Sequence, residues 1–317
     1  MKTILDLAGG IAGIALLYYG ADFLISGCVG IARKLHIPEL VIGLTLVAFG
    51  TSAPEFVVSL NAVFAGKGDI AVGNIVGSNI CNIALIVGLC AMISPLAVNK
   101  KLFKMDVPIM LAATVLLSLF LWFSNGVNRW QSATLLALMA GFIAWQCRSA
   151  LKNREDAEAL TADLDDGGKQ HNIVVLLCFV AGGLAGLVFG AQLFVNGAVC
   201  AARLLKVPEA IIGLSIVAFG TSLPELATSL VASLKKEGDI AIGNVIGSNI
   251  FNILFILGIA PLIRPFEAPG IKLLDAGVMC GVTLLLIPFM RSKYTISRIE
   301  GGILFALYVA YIAVLAL

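Results

Sequence analysis

Glu55 and Glu225 are carboxylates set in stretches otherwise apolar enough to cross a bilayer, and both occupy the same local context. Gly50-Thr51-Ser52-Ala53-Pro54-Glu55 returns, 170 residues on, as Gly220-Thr221-Ser222-Leu223-Pro224-Glu225. Carboxylate, hydroxyl and backbone carbonyl oxygens are the donors that hard cations such as Ca²⁺ and Na⁺ prefer. In a helix, Pro54 has no N–H for the carbonyl of Gly50 and its ring crowds that turn, so a kink or break is expected there. Carbonyls freed in mid-membrane must be buried in protein or face a cavity. An ionised acid at a helix centre costs about 2.5–3.5 kcal/mol on insertion scales, so two cost about 5–7 kcal/mol. Neither motif core contains a lysine or arginine to offset that cost. A bound cation would offset it, and protonation is the other route.

A second motif supplies a complementary surface. Gly68 to Asn82 (GDIAVGNIVGSNICN) returns as Gly238 to Asn252 (GDIAIGNVIGSNIFN). Asn74, Ser78 and Asn82 fall at i, i+4 and i+8, one polar stripe on a helix, and Asn244, Ser248 and Asn252 repeat it. Gly73 and Gly77, with Gly243 and Gly247, form small-xxx-small pairs that let a neighbouring helix come close. Asn79 and Asn249 read equally as helix–helix hydrogen-bonding residues or as ligands. Asp69 and Asp239, each following a glycine at a helix start, read as N-caps. Glu39 and Glu209 follow prolines and suit the positive end of a helix dipole. Asp22 has Gln192 as its counterpart, which weakens the case for a symmetrical ligand there.

The elements that must carry these motifs follow from composition. The chain of 317 residues is 60% hydrophobic and 13% charged, against about 25% charged for soluble domains. Its long unalternating apolar runs predict helices rather than a barrel. The fold expected is an all-α polytopic membrane protein. Its spans are expected at about 4–31, 37–65, 70–93, 105–124, 130–149, 173–201, 207–234, 240–262, 273–290 and 299–317, each near the ~20 residues a crossing needs. Five helices per half force opposite insertion. The ten form an inverted repeat of five plus five, 1–150 and 173–317, with broken second and seventh helices. The first segment shares Gly20, Gly27 and Arg33 with Gly190, Gly197 and Arg203. It is therefore expected to belong to the repeat rather than to be a cleaved signal. The polar stretch 151–172 is expected to be a short solvated cytoplasmic linker. Its Asp163, Asp165, Asp166 and Gly167 lack EF-hand spacing.

With both termini outside, 14 of the 21 Lys and Arg residues fall on the inner side and seven on the outer. The positive-inside rule thus favours that orientation in the cell (inner) membrane. A net charge of +2 gives no reason to invoke nucleic acid, and the partners expected are lipid and small inorganic cations. The seven cysteines lack paired spacing and read as small buried apolar residues. No phosphate-binding loop or dinucleotide fingerprint implies an organic cofactor. Neither motif holds a histidine, which argues against a metal-dependent intramembrane hydrolase and for a transporter rather than an enzyme. A channel lined by the same oxygens is a further alternative, without coupled counterflow.

The paired motifs, GTSAPE with GNIVGSNICN and GTSLPE with GNVIGSNIFN, resemble the two alpha-repeats of the sodium/calcium exchanger superfamily, the cation/calcium antiporters. The resemblance is specific in the motifs, and in hydropathy it extends over the whole chain, as in the short-loop prokaryotic members. It implies a 5+5 inverted repeat with extracellular termini, exchanging Ca²⁺ for Na⁺, or in some branches for H⁺ or with K⁺ assistance. Carried over by position, Glu55 and Glu225 would be the central Ca²⁺ carboxylates. Thr51, Ser52, Ser78, Thr221, Ser222 and Ser248 would be hydroxyl ligands serving chiefly Na⁺. The carbonyls of Ala48 and Ala218 and the amides of Asn82 and Asn252 would complete the set. Many sodium/calcium exchangers carry aspartate where this chain has Asn252, so two acids stand here in place of three and a three-to-one ion ratio does not transfer directly. Less polar helices would rock or slide against the bundle holding the site, and the glycine-rich first and sixth spans are the expected moving pair.

Overall fold

The computed structural model describes residues 2–35, 37–124, 126–161, 172–205, 218–271 and 273–315. The acidic centre of the linker, Glu209 and most of the upstream arm of the seventh span lie outside these residues. In chain order the elements are α1 (Lys2–Leu35), α2 (Glu39–Thr51), α3 (Ala53–Phe64), α4 (Gly68–Ile93), β1 (Leu96–Ala97), α5 (Lys100–Ser124), β2 (Gly126–Val127) and α6 (Arg129–Thr161). The second half continues with α7 (Ile173–Leu204), α8 (Ala218–Gly220), α9 (Leu223–Leu234), α10 (Gly238–Ile263), β3 (Phe266–Glu267), α11 (Leu273–Arg291), β4 (Thr295–Ile296) and α12 (Arg298–Leu315).

Seven of the described helices are long and apolar enough to cross a membrane, and α2 with α3, bent by 44°, makes an eighth. The chain is thus a helical, polytopic membrane protein. Of the two remaining expected spans, 130–149 lies within α6, and 207–234 is described only from Ala218 onward. Helix α6 runs on to Thr161, so the polar stretch after residue 150 begins as helix rather than as open linker. Its Leu, Lys, Glu and Ala residues are good helix formers.

Helices α1 and α7 lie against each other along most of their length, and glycine is the reason. A β-carbon placed on Gly197 would lie 2.6 Å from the Cα of Gly10, one on Gly13 would lie 2.6 Å from the backbone nitrogen of Phe194, and one on Gly183 would lie 2.5 Å from that of Leu24. As α1 residues rise in number their α7 partners fall, so the two helices are antiparallel. Without hydrophobic drive between helices in lipid, this close backbone packing is what holds such a pair.

Two short antiparallel ties join the halves. Leu96 pairs with Ile296 in β1–β4, and Gly126 with Glu267 in β2–β3. Beside the second tie, the Asp69 carboxylate accepts the Gly270 N–H at 2.7 Å, and in the other half the Asn99 amide donates to Asp239 at 3.4 Å. The N-cap positions are Lys67 and Glu237, so Asp69 and Asp239 sit inside the first turn and pin loops of the opposite half instead of capping their own helices. Glu39 does lie in a helical first turn, 4.0 Å from Arg33. Cys28, Cys81 and Cys90 are buried as expected, whereas Cys147 and Cys178 are exposed; all seven thiols are free.

Candidate cation site

The second span bends just ahead of its proline rather than at it. Ser52 has left the helix (φ −80°, ψ 7°), and Pro54 takes the first turn of α3, where its missing N–H has no partner to lose. Ser222 (φ −87°, ψ 7°) and Pro224 repeat this at α9. The bend turns Glu55 and Glu225 inward, and both are fully buried.

The polar stripes of α4 and α10 meet them. Each of these helices widens into a π-helical stretch at its asparagine, Cys81–Val87 in α4 and Asn252–Ile256 in α10. Such stretches recur at functional sites because the wider turn re-aims side chains. Gly247 makes the approach of α10 to α2 possible: a β-carbon there would lie 2.6 Å from the carbonyl oxygen of Leu44. The matching partner of Gly73 and Gly77 would fall within 206–217, outside the described residues.

The hydrogen bonds cross between halves in reciprocal pairs. Ser52 Oγ donates to Glu225 Oε1 at 2.9 Å and Ser222 Oγ to Glu55 Oε1 at 3.0 Å. Thr51 donates to Asn244 Oδ1 at 3.1 Å and Thr221 to Asn74 Oδ1 at 3.4 Å. Within each half, Asn74 donates to the Glu55 carbonyl and to Ser59, and Asn244 to the Glu225 carbonyl and to Ser229. Ser78 adds a bond to Glu55 Oε1 at 3.2 Å and lies 3.0 Å from Ser222 Oγ. Among the described residues each carboxylate is bonded to hydroxyls and to no lysine or arginine. Phe49, Phe56, Phe251 and Phe255 form an aromatic wall beside the first break, with Phe251 stacked on Phe255 at 4.5 Å.

What is left over matters most. Among the described residues, Glu55 Oε2, Glu225 Oε2, Asn82 Oδ1, Asn252 Oδ1 and Ser248 Oγ are buried without a hydrogen-bond partner. Each such group normally costs about 1–3 kcal/mol, more when charged. Four of the five are acceptor oxygens when the acids are ionised, and they come in matched pairs from the two halves. A cation fits this chemistry; an anion or an apolar ligand does not.

Of the residues expected at the site, Thr51, Ser52, Glu55, Ser78, Asn82, Ser222, Glu225, Ser248 and Asn252 are all buried, and Thr221 is half-buried. The carbonyl of Ala48 accepts the Ser52 N–H at 3.1 Å and lies 3.4 Å from the Thr51 hydroxyl, whose one proton has the nearer acceptor in Asn244, so one lone pair of the carbonyl is taken here. At the second break the Ser222 N–H donates to the Phe219 carbonyl at 3.1 Å. Asn74, Asn244, Ser59 and Ser229 hold the backbones of the breaks. The i, i+4 spacing had placed the two asparagines on the stripe, but nothing in the sequence tied Ser59 and Ser229 to them.

The model of the family described as sodium/calcium exchanger protein matches residues 5–148 and 175–317. The putative antiporter CaxA of Alkalimonas amylolytica is 40% identical over 309 residues, covering 95% of each chain. The sodium/calcium exchanger MaX1 of Methanosarcina acetivorans is 34% identical, covering 96% of each. A solved structure of the sodium-calcium exchanger NCX_Mj, soaked with zero Na⁺ and Ca²⁺, superposes with a TM-score of 0.84 at 34% identity over 99% of both chains. With both halves matched and nearly the full length covered, this chain belongs to the sodium/calcium exchanger family.

Proposed function

We propose that this protein is a secondary antiporter that exchanges Ca²⁺ for Na⁺ at the buried oxygen cluster by alternating access. The observation that carries the proposal is the set of Glu55, Glu225, Asn82 and Asn252 oxygens that are unpartnered among the described residues, paired from two halves and buried. Glu55 and Glu225 are the divalent carboxylates. Thr51, Ser52, Ser78, Thr221, Ser222 and Ser248 supply hydroxyls, chiefly to Na⁺, with the carbonyls of Ala48 and Ala218. With the Thr51 proton given to Asn244, the Ala48 carbonyl keeps one lone pair for that purpose. Asn82 and Asn252 are neutral oxygen ligands. Two acids balance one Ca²⁺ or two Na⁺, and a third Na⁺ would leave the site positive.

The architecture proposed is ten spans in an inverted 5+5 repeat, residues 1–150 and 173–317 joined by 151–172, in the cell membrane with both termini outside. The antiparallel run of α1 against α7, elements at matching places in the two halves, supports the inversion, and so do the reciprocal cross-half bonds. The same glycine seam supports α1 and α7 moving as one body against the bundle that holds the site.

Proton coupling is the second reading. It is favoured by the burial of two acids with hydroxyl partners alone, because a site emptied of metal can carry that charge only by protonation. Flux of ⁴⁵Ca²⁺ into proteoliposomes, with Na⁺, K⁺ and pH gradients imposed one at a time, separates the readings. Uptake driven by an opposing Na⁺ gradient and lost in Glu55→Gln is expected. Uptake driven only by the pH gradient would replace Na⁺ by H⁺, and indifference to every gradient would remove the antiporter assignment.

A further inference from the structure

An amide is a cation ligand only when its oxygen, not its NH₂, faces the ion, and the two ends differ little in shape. Something must hold Asn82 and Asn252 the right way round. The hydrogen bonds form two relays that do so. Asn252 Nδ2 donates to Asn79 Oδ1 at 3.0 Å, and Asn79 Nδ2 donates in turn to the backbone carbonyl of Asn249 at 3.4 Å. Asn82 Nδ2 donates to Asn249 Oδ1 at 3.0 Å, and Asn249 Nδ2 donates to the thioether sulfur of Met110 at 3.6 Å. A carbonyl and a thioether can only accept. Each relay is therefore anchored at an atom that fixes its direction, and each leaves one amide oxygen at its far end, Asn252 Oδ1 and Asn82 Oδ1, unpartnered among the described residues. Ser78 Oγ also accepts from the Asn252 amide, at 3.3 Å, and reinforces the same orientation as long as its own proton stays on Glu55.

We infer that Asn79 and Asn249 are positioning residues, which orient Asn82 and Asn252 so that both present carbonyl oxygen to the transported cation. Met110 anchors one relay. Asn79 and Asn249 are buried and touch the ion only through their partners. The inference rests on the cluster being the cation site, and it explains a requirement that a carboxylate at position 252 would not have. A carboxylate presents oxygen whichever way it is turned, so it needs no orienting neighbour. The relay is thus the structural counterpart of having Asn252 rather than an acid.

The test is a double-mutant cycle read by Ca²⁺ binding to the purified full-length protein. Asn79→Ala is expected to weaken Ca²⁺ binding about tenfold, the worth of about one hydrogen bond's orientation. In the Asn252→Asp background the same change is expected to cost less than about twofold. A purely structural role for Asn79 would lower affinity and melting temperature alike in both backgrounds, and that result overturns the inference. Should Asn79→Ala not fold, Met110→Leu keeps the volume while removing the acceptor. It is expected to cost about threefold, an effect abolished by Asn82→Asp, and equal cost in both backgrounds overturns the inference again. Glu55→Gln is the control: if it leaves Ca²⁺ binding intact, the site reading falls and takes the relay with it. Loss of binding in Glu55→Gln with no effect of Asn79→Ala or Met110→Leu sinks the relay alone.

Discussion

Ser52 and Glu225 lie 173 positions apart and come from opposite halves, yet the serine hydroxyl donates to the glutamate at 2.9 Å in a fully buried site. Ser222 returns the bond to Glu55 at 3.0 Å. Each acid takes a hydroxyl from the other half, so the two halves of the chain make one site rather than two. The bonds also hold one oxygen of each carboxylate and leave the other, Oε2, buried and unpartnered among the described residues.

Removing either hydroxyl should therefore loosen both affinity and geometry. Hydrogen bonds to charged groups contribute about 1.5–3 kcal/mol. Ser52→Ala and Ser222→Ala are each expected to weaken Ca²⁺ binding by about tenfold or more, while Glu55→Gln and Glu225→Gln abolish it. Calorimetric titration of the four variants checks this. An Ser52→Ala protein with wild-type affinity would mean that the Glu225 carboxylate is not a ligand.

Asn252→Asp adds a third carboxyl to a site with two. Ca²⁺ affinity rises with ligand charge count. The variant is expected to bind Ca²⁺ at least about tenfold tighter and to release it more slowly, raising affinity while lowering maximal flux. Unchanged affinity together with unchanged ion dependence would take position 252 out of the site.

Much of this was legible in the sequence because it was written twice. The duplicated glutamates, hydroxyls and asparagines mark positions, and period and proline chemistry put them on two bent and two straight helices that could converge. Local rules failed where distant partners decide. Asp69 follows a glycine at a helix start, which suits a cap, but the Gly270 N–H, 201 positions away, takes its carboxylate. Pro54 marks a break, but because proline is tolerated in a first turn the chain bends at Ser52. The roles of Asn79 and Asn249 could not be told apart from the sequence, since an amide's direction is set by its partner and those partners lie on other helices. The two-residue strand ties are too short to leave a period.

The glycine seam between α1 and α7 makes a prediction with an internal control. At Gly13 a β-carbon would meet backbone of Phe194 at 2.6 Å, and backbone cannot swing aside as a flexible side chain would. Gly13→Ala must push the two helices apart and is expected to lower the melting temperature and the flux together. At Gly141 on α6 a β-carbon would meet nothing within 4 Å among the described residues outside its own helix turn. Gly141→Ala is expected to be neutral or to stabilise by about 0.5–1 kcal/mol through helix propensity. Equal thermal shifts for the two would contradict the packing described.

Lys235, one residue beyond α9, pairs with Asp22 on α1 and also donates to Ser26 at 3.2 Å. The repeat offers no counterpart, because the matching positions are Ala65 and Gln192. If α1 and α7 slide together past the bundle, this contact exists on one side of the transport cycle only. Both partners are about a third exposed (33% and 34%), so the pair contributes at most about 1 kcal/mol. Asp22→Asn should leave the melting temperature nearly unchanged. It should nevertheless shift the balance of access states by up to about fivefold, since a population moves by the full differential energy of whatever distinguishes the states. The half-saturating Ca²⁺ concentrations on the two faces of oriented proteoliposomes are then expected to move in opposite directions. Equal movement on both faces would mean that the pair persists throughout the cycle and that α1 does not travel relative to α9.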